Sequence, residues 1–228
     1  MKVTIYGITL RRITIDDIEL VRVKRNEVKG HMEYREHITP EKQLEWFRSI
    51  DNINNFYYII EHNNEQIGLI SEKDISREET GGMESGIFLF DKKYHNSIYP
   101  VVASLILIEG GFYLFKTGDS YIHVLKNNSN AIAYNKTLGY VLCEGQENVE
   151  NQKYVLTKES FEKKAGKIRK AVLQLCGGDN STTVVIEEHD YKNGVGQLME
   201  GVMKPLNVKP DIRENGDKVY YLNWIISG

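Results

Sequence analysis

From residue 56 onward the sequence keeps switching between two hydrophobic rhythms, and this switching constrains the fold more than any other feature. FYYIIE at 56–61 is rich in β-formers, HNNE at 62–65 turns the chain, and QIGLI at 66–70 returns, so the spacing predicts a hairpin. Gly81-Gly82 marks another turn, followed by a strand pattern, ESGIFLF, at 84–90. Pro100 suits the first turn of a helix and opens a long apolar one that runs to about Phe115. A strand at 121–125, a helix at 130–138 and strands at 140–144 and 153–157 follow. Alternation of this kind argues for an α/β fold with a mixed central β-sheet flanked by helices.

The flanks fit the same plan. ITLRRIT at 8–14 alternates and ends at Asp16-Asp17, a helix-start signal, with a helix predicted over 18–25. Thr39 can cap a second helix whose first position is Pro40, with Leu44, Phe47 and Ile50 on one face and Trp46 beside them. Something new begins at Lys158. Phe161, Ala165, Ile168, Val172 and Leu175 lie at helical spacing, and Lys163, Lys164, Lys167 and Lys170 fall elsewhere on that helix as a solvated face. Cys176-Gly177-Gly178-Asp179-Asn180 stops it, and a strand at 182–187, a helix at 197–203 and a strand at 219–226 follow. The expected organisation is a domain over 1–158 and a small C-terminal α/β extension, α-β-α-β, over 159–228.

Charge narrows the function classes. Twenty-nine Lys and Arg against 32 Asp and Glu give a net −3, which argues against broad electrostatic binding to nucleic acid or to an anionic membrane. The two cysteines, Cys143 and Cys176, have no metal-ligand spacing, so no metal site is expected, and they fit a reducing compartment. The apolar run at 101–107 is far shorter than the ~20 residues of a membrane span, and the first residues have no signal-peptide pattern. A cytoplasmic protein is expected.

Two stretches carry a family resemblance. Glu84-Ser85-Gly86-Ile87-Phe88-Leu89 resembles the fourth strand of the GNAT N-acetyltransferases, which often reads EIGIYI. Asn128-Ser129-Asn130-Ala131-Ile132 through Leu138-Gly139-Tyr140 resembles their NxxAIxxYxKLGF segment. The element order over 8–158 matches that superfamily, and 23–50 is similar to members that acetylate amino-sugar nucleotides. The resemblance implies a GNAT-like acyl-CoA N-acyltransferase fold and direct transfer: a neutral amine attacks the thioester of acetyl-CoA, one group removes the amine's proton and another protonates the thiolate.

It also implies where these tasks fall. Glu84 matches the family's strand-four glutamate and is the expected base, with mid-strand His123 as a second candidate, although a lone strand histidine is more often structural. The backbone of Ile87, Phe88 and Leu89 is expected to pair with pantetheine, and Asn128 falls among the donor-binding positions. The family's phosphate loop, [QR]-x-x-G-x-[GA], aligns with His95-Asn96-Ser97-Ile98-Tyr99-Pro100, and every defining position departs. Pro100 removes one N–H, Ile98 stands where a glycine allows close approach, and His95, Asn96, Ser97, Tyr99 and the N–H groups of Val101 and Val102 remain as candidate donors. The family's acid, a tyrosine four residues after the alanine, corresponds to Asn135, which cannot serve as an acid near neutral pH. Tyr134 is one step early and, turned ~100° away on a helix, reads as a core residue. Gly194-Val195-Gly196 lacks the third glycine of a dinucleotide fingerprint.

Two classes of function fit these residues, and within the first an enzyme using a different acyl carrier stays open. One is an N-acetyltransferase that uses acetyl-CoA as co-substrate and acts on a small-molecule amine, with an amino-sugar nucleotide as the narrower choice. The other is a non-catalytic module that kept the fold and lost the donor, its extension carrying the interaction, with self-association into a homodimer through Phe161, Ile168 and Val172 as the candidate contact.

Overall fold

β1 (Lys2–Ile5) and β2 (Ile8–Arg12) are joined by Tyr6 and Gly7, at φ 54° and 73°. Two consecutive positive φ angles give the turn the hand that twisted strands need. The same device, Asn63 and Asn64 at φ 48° and 63°, joins β3 (Phe56–His62) to β4 (Glu65–Lys73). These coordinates are a computed structural model, which describes residues 1–29, 36–76, 82–95 and 97–223. The Gly81 half of the expected turn at 81–82, Asn96 of the loop and the end of the last expected strand lie outside the described residues.

The remaining strands are β5 (Met83–Leu89), β6 (Ser120–Leu125), β7 (Val141–Leu142), β8 (Asn151–Leu156), β9 (Ser181–Ile186), β10 (Asp211–Ile212) and β11 (Lys218–Asn223). Among the described residues they form one 11-stranded sheet in the order β10-β11-β9-β1-β2-β3-β4-β5-β6-β8-β7. Neighbours are antiparallel except β5 and β6, which run parallel. This is the mixed, helix-flanked sheet expected from the sequence.

Each face has its own apolar cluster. On one, α1 (Ile18–Val28) and α2 (Pro40–Ile50) cover Ile59, Leu69 and Phe88 with Val21, Ile50, Trp46 and Phe47. Thr39 caps α2 by accepting the Lys42 N–H at 3.3 Å. On the other lies α3 (Tyr99–Glu109), buried on nearly all sides because nearly all its residues are apolar. It ends in a π-helical turn (Gly110–Phe115) closed by Lys116 at φ 53°. No helix among the described residues is long and apolar enough to cross a membrane.

The C-terminal residues extend the same sheet. α5 (Lys158–Leu175) leaves from β8 and delivers the chain to β9, which pairs with β1 on the other side of the sheet. Its 18 residues span about 27 Å. The seven strand spacings from β8 to β9 need about 34 Å; residues 176–180 bridge the difference. α6 (Val195–Met203) then packs Val195, Met199 and Met203 into the α3-side core. Gly196 sits against Tyr191, where a Cβ would lie 2.7 Å from the ring, so the Gly194–Gly196 pair serves packing.

One expectation is corrected here. Phe161 and Val172 are fully buried in the α3-side core, Phe161 against Phe112 with ring centres 5.8 Å apart, and Ile168 packs on the same cluster. The spacing marked the apolar face of α5 without saying what it packs on, and that face is used within the chain, not for self-association. The face of α5 that carries Lys163, Lys164, Lys167 and Lys170 is exposed, as read from the spacing.

Candidate active site

β5 and β6 pair only at Met83↔Ser120 and Glu84↔Tyr121, although both run several residues further. Beyond Glu84 they part, so one edge of the later residues of β5 has no strand beside it. Parallel pairing is the weakest link in an otherwise antiparallel sheet, and this is where the sheet opens. A cavity of about 30 Å³ fills the start of the gap, lined by Ser85, Gly86, Ile87, Ser104, Asn135 and Tyr140 among others.

Side chains alternate along a strand, so adjacent residues of β5 serve opposite faces of the gap. Glu84 projects to the α1/α2 face. There Lys73 Nζ lies 3.0 Å and His123 Nδ1 3.5 Å from its Oε1, and all three side chains are about one-third exposed. Strand register enforces the cluster: Glu84 faces Lys73 on β4 and Tyr121 on β6, and His123 follows Tyr121 by two. His123 in turn faces Lys153 on β8, whose Nζ sits 4.2 Å over the Tyr121 ring. Burial is the largest single influence on Lys73 and works against its charge, but the hydrogen bond and charge of Glu84, with Tyr57 and Asp74, together outweigh it and the Lys73 pKa is raised. The structure thus brings Glu84 and His123 together and adds Lys73, which the sequence did not single out.

Ser85 projects to the α3 face and begins a row of hydroxyls. Its Oγ is 2.8 Å from Ser120 Oγ, which is 2.7 Å from the Tyr140 hydroxyl. Ser120 and Tyr140 are buried, and burial pushes the Tyr140 phenol up to about 12. Tyr140 is fixed by the turn after α4 (Ser129–Leu138). Gly139 takes φ 108° there, and a Cβ would lie 2.7 Å from Ser160 O, so the turn requires glycine.

On α4, Asn135 lines the gap and gives an amide hydrogen to Ala131 O at 2.8 Å. Tyr134 faces α3 instead. Its hydroxyl donates to Pro100 O at 2.8 Å and sits 2.7 Å from Ser104 Oγ. It is buried, burial raises its pKa, and its proton is committed, so it is the core residue that helical spacing indicates. Asn128 caps α4 by accepting the Ala131 N–H at 3.1 Å.

The start of α3 offers fewer donors than the sequence implied. The Val102 N–H is bonded to Ile98 O at 3.0 Å, and the Ser97 hydroxyl donates to Tyr94 O at 2.8 Å. Neither is free to meet a phosphate, because helix closure and a local turn have taken them. His95 is exposed at the end of a 3-10 turn, Ile98 is exposed, and Tyr99 stacks on His62 at 4.2 Å. Helix geometry leaves the N–H groups of Tyr99 and Val101 at the N-terminus, on either side of Pro100, which has none. Ile87, Phe88 and Leu89 lie along β5 where it has left β6, with Phe88 buried in the α1/α2 cluster.

Ser85, Ser120 and Tyr140 were missed from the sequence. Ser85 reads only as the neighbour of Glu84. In the 128–140 segment, Tyr140 reads as an aromatic, its hydroxyl unnoticed. Away from the gap, Glu187, His189 and Asp190 bring ligand-type atoms within 4.8 Å of one another. The Met1 ammonium lies 2.5 Å from Asp190 and 3.2 Å from Glu187, and Lys2 2.8 Å from Glu187, so cationic groups already neutralise these carboxylates.

The comparisons with known proteins agree with this geometry. The family model of the acetyltransferase (GNAT) domain matches residues 8–141. No curated protein matches the chain. Among solved structures, the chain is similar to apo FdhC, described as a nucleotide-linked sugar GNAT, at 21% identity and TM-score 0.62, over 75% of this chain and 97% of that one. It is similar to a chimera of the Vibrio cholerae spermidine N-acetyltransferase SpeG and hSSAT at 15% identity and TM-score 0.60, over 68% and 98%. A domain from Methanocaldococcus jannaschii follows at 19% and 0.56, over 66% and 97%. At these identities the structures speak to fold alone.

Proposed function

This chain belongs to the GNAT acetyltransferase family, and on that premise we propose that it transfers an acetyl group from acetyl-CoA to the amine of a small molecule. The observation that carries the proposal is the opening between β5 and β6 with Glu84 at its mouth. The unpaired edge of β5 at Ile87–Leu89 suits the amide groups of pantetheine, as an added strand would. Glu84 lies at the gap on one face of the sheet and Ser85 on the other. Donor thioester and acceptor amine therefore meet in it from opposite sides.

Glu84 is the base in this reading. It takes the amine proton directly or through a water molecule, and the nitrogen then adds to the thioester carbon. Lys73 and His123 hold its Oε1 and keep the carboxylate oriented. The cations Lys73 and Lys153 flank this mouth together with His123. They favour an acceptor that carries negative charge beside its amine and disfavour a polyamine. An amino-sugar nucleotide has that chemistry. Calorimetry with CoA and acetyl-CoA, followed by thiol release across a panel of amino-sugar nucleotides and polyamines, tests the reading. No heat and no thermal shift at millimolar donor rejects it.

The start of α3 favours a second reading. With Pro100 at its second position and Val102 N–H and the Ser97 hydroxyl already engaged, the phosphate cradle is poor. A module that kept the fold without the donor fits that observation, and measured turnover would exclude it.

A further inference from the structure

Three hydroxyls line up on the α3 face of the gap. Ser85, Ser120 and Tyr140 make two contacts, at 2.8 and 2.7 Å. Three hydroxyls hold three protons, and the two contacts use two of them, so the row keeps one proton to give. Ser85 and Tyr140 both line the cavity at the start of the gap, as does Asn135. At about 30 Å³ that cavity holds little more than an atom or two. Any atom placed in it lies close to the row.

The other candidates for protonating a leaving group fail on geometry. The Tyr134 proton is spent on Pro100 O. Asn135 has only an amide. Glu84 and His123 lie on the opposite face of the sheet, where the amine arrives.

We propose that Tyr140 is the general acid of the transfer, giving its phenolic proton to the departing CoA sulfur, with Ser120 and Ser85 as the hydroxyls that orient and reload it. The role rests on the acetyl-transfer reading above. In the step, the amine nitrogen bonds to the acyl carbon and its proton goes to Glu84. As the C–S bond breaks, the electron pair goes to sulfur, and the Tyr140 proton follows it. Ser120 passes a proton to the phenolate, Ser85 to Ser120, and solvent to Ser85. Glu84 returns its proton to solvent, so the step balances without another reagent. A phenol is the most acidic of the three hydroxyls, which makes Tyr140 the net donor. Burial keeps it protonated at neutral pH, as an acid must be, and the same apolar walls raise the proton affinity of a thiolate formed between them. Glu72, on β4, is the carboxyl whose field reaches Tyr140, and once it ionises, above about 8, it holds the phenol's proton more firmly still.

The test compares wild type with Tyr140→Phe, Ser85→Ala and Ser85→Thr, reading thiol release from acetyl-CoA with the best acceptor of the panel, acetyl-CoA affinity by calorimetry, and thermal melting. Tyr140→Phe should keep the affinity and KM within about twofold and lose about 100-fold in kcat, the low end for a general acid. Ser85→Ala should lose about tenfold in kcat with KM unchanged, and Ser85→Thr, which keeps a hydroxyl, should recover most of it. Ser85→Ala and Ser85→Thr decide the matter alone should Tyr140→Phe not fold. Active wild type with Tyr140→Phe within threefold of it, or with Ser85→Ala indistinguishable from it, overturns the acid role and leaves acetyl transfer standing. Wild type that releases no thiol with any amine overturns acetyl transfer and the acid role with it.

Discussion

Lys73 and Glu84 face each other across the β4–β5 pair, Nζ to Oε1 3.0 Å, at the one place where the sheet begins to part. The pair is one-third exposed, so its strength as a salt bridge is small. Its value is orientation, since it holds one carboxylate oxygen, Oε1, and leaves Oε2 to take a proton. Glu84→Gln keeps the shape and removes the base. Steady-state kinetics should show kcat reduced about 100-fold or more, with acetyl-CoA affinity by calorimetry unchanged. Equal loss of donor affinity would mean that Glu84 shapes the gap and does not take a proton.

Tyr134 and Asn135 give a sharper contrast. The Tyr134 hydroxyl bonds Pro100 O and Ser104, joining α4 to α3. Tyr134→Phe leaves the Ser104 hydroxyl without this partner and takes the second bond from Pro100 O in the core, which costs roughly 1–3 kcal/mol. Urea unfolding should register that loss while kcat stays within a few-fold of wild type. A large fall in kcat with stability intact would return the acid role to this helix.

Much of this was legible in the sequence. The strand and helix rhythms gave the sheet and its helices because each buries one face, and burial writes period into sequence. β1 escaped because four residues hold too little alternation, and Tyr6-Gly7 is a weaker hairpin signal than Asn-Gly. Glu84 and His123 were found because single residues on strands carry their chemistry openly. The Ser85–Ser120–Tyr140 row was not, because it joins two strands and the turn after α4, and nothing local marks that Ser120 lies between the other two. The burial of Phe161 and Val172 was also hidden. An apolar helical stripe shows that a face is covered and not whether the chain itself covers it.

Glu72 gives the molecule a pH dependence of stability. It is buried on β4 beside the π turn, its Oε1 has no hydrogen-bond partner, and burial raises its pKa to about 8. In the unfolded chain it ionises at the ordinary carboxylate value. Between that value and about 8 the folded protein holds a proton that the unfolded chain releases, so this group's contribution to stability falls as pH rises through that window and levels off above it. Glu72→Gln should remove the trend. Thermal melts should show the variant gaining on wild type from pH 5 to pH 8, by an amount on the order of a few kcal/mol. Parallel curves would place the ionised carboxylate in the fold.

Glu109 and Arg169 pin α5 to α3. Glu109 is almost fully buried, and Arg169 Nε lies 2.5 Å from its Oε1. Removing one partner leaves the other charge buried, which costs roughly 3–5 kcal/mol. Arg169→Met should therefore destabilise strongly, and Glu109→Gln added to it should restore most of the loss. Denaturant unfolding of the two single variants and the double variant reads this coupling. Additive losses would show that the two side chains act separately.

Pro100 tests the donor side directly. It stands second in α3, between the Tyr99 and Val101 N–H groups that helix geometry leaves at the N-terminus. Pro100→Ala restores a third N–H at the same turn and keeps the Pro100 carbonyl that Tyr134 uses. An N–H given to a phosphate is a charge-assisted hydrogen bond, worth enough to tighten binding about tenfold. Calorimetry with CoA and with dephospho-CoA should show both binding more tightly to Pro100→Ala, because both carry the pyrophosphate. An unchanged Kd would mean that the pyrophosphate does not reach the start of α3. The donor would then be held by the β5 edge alone.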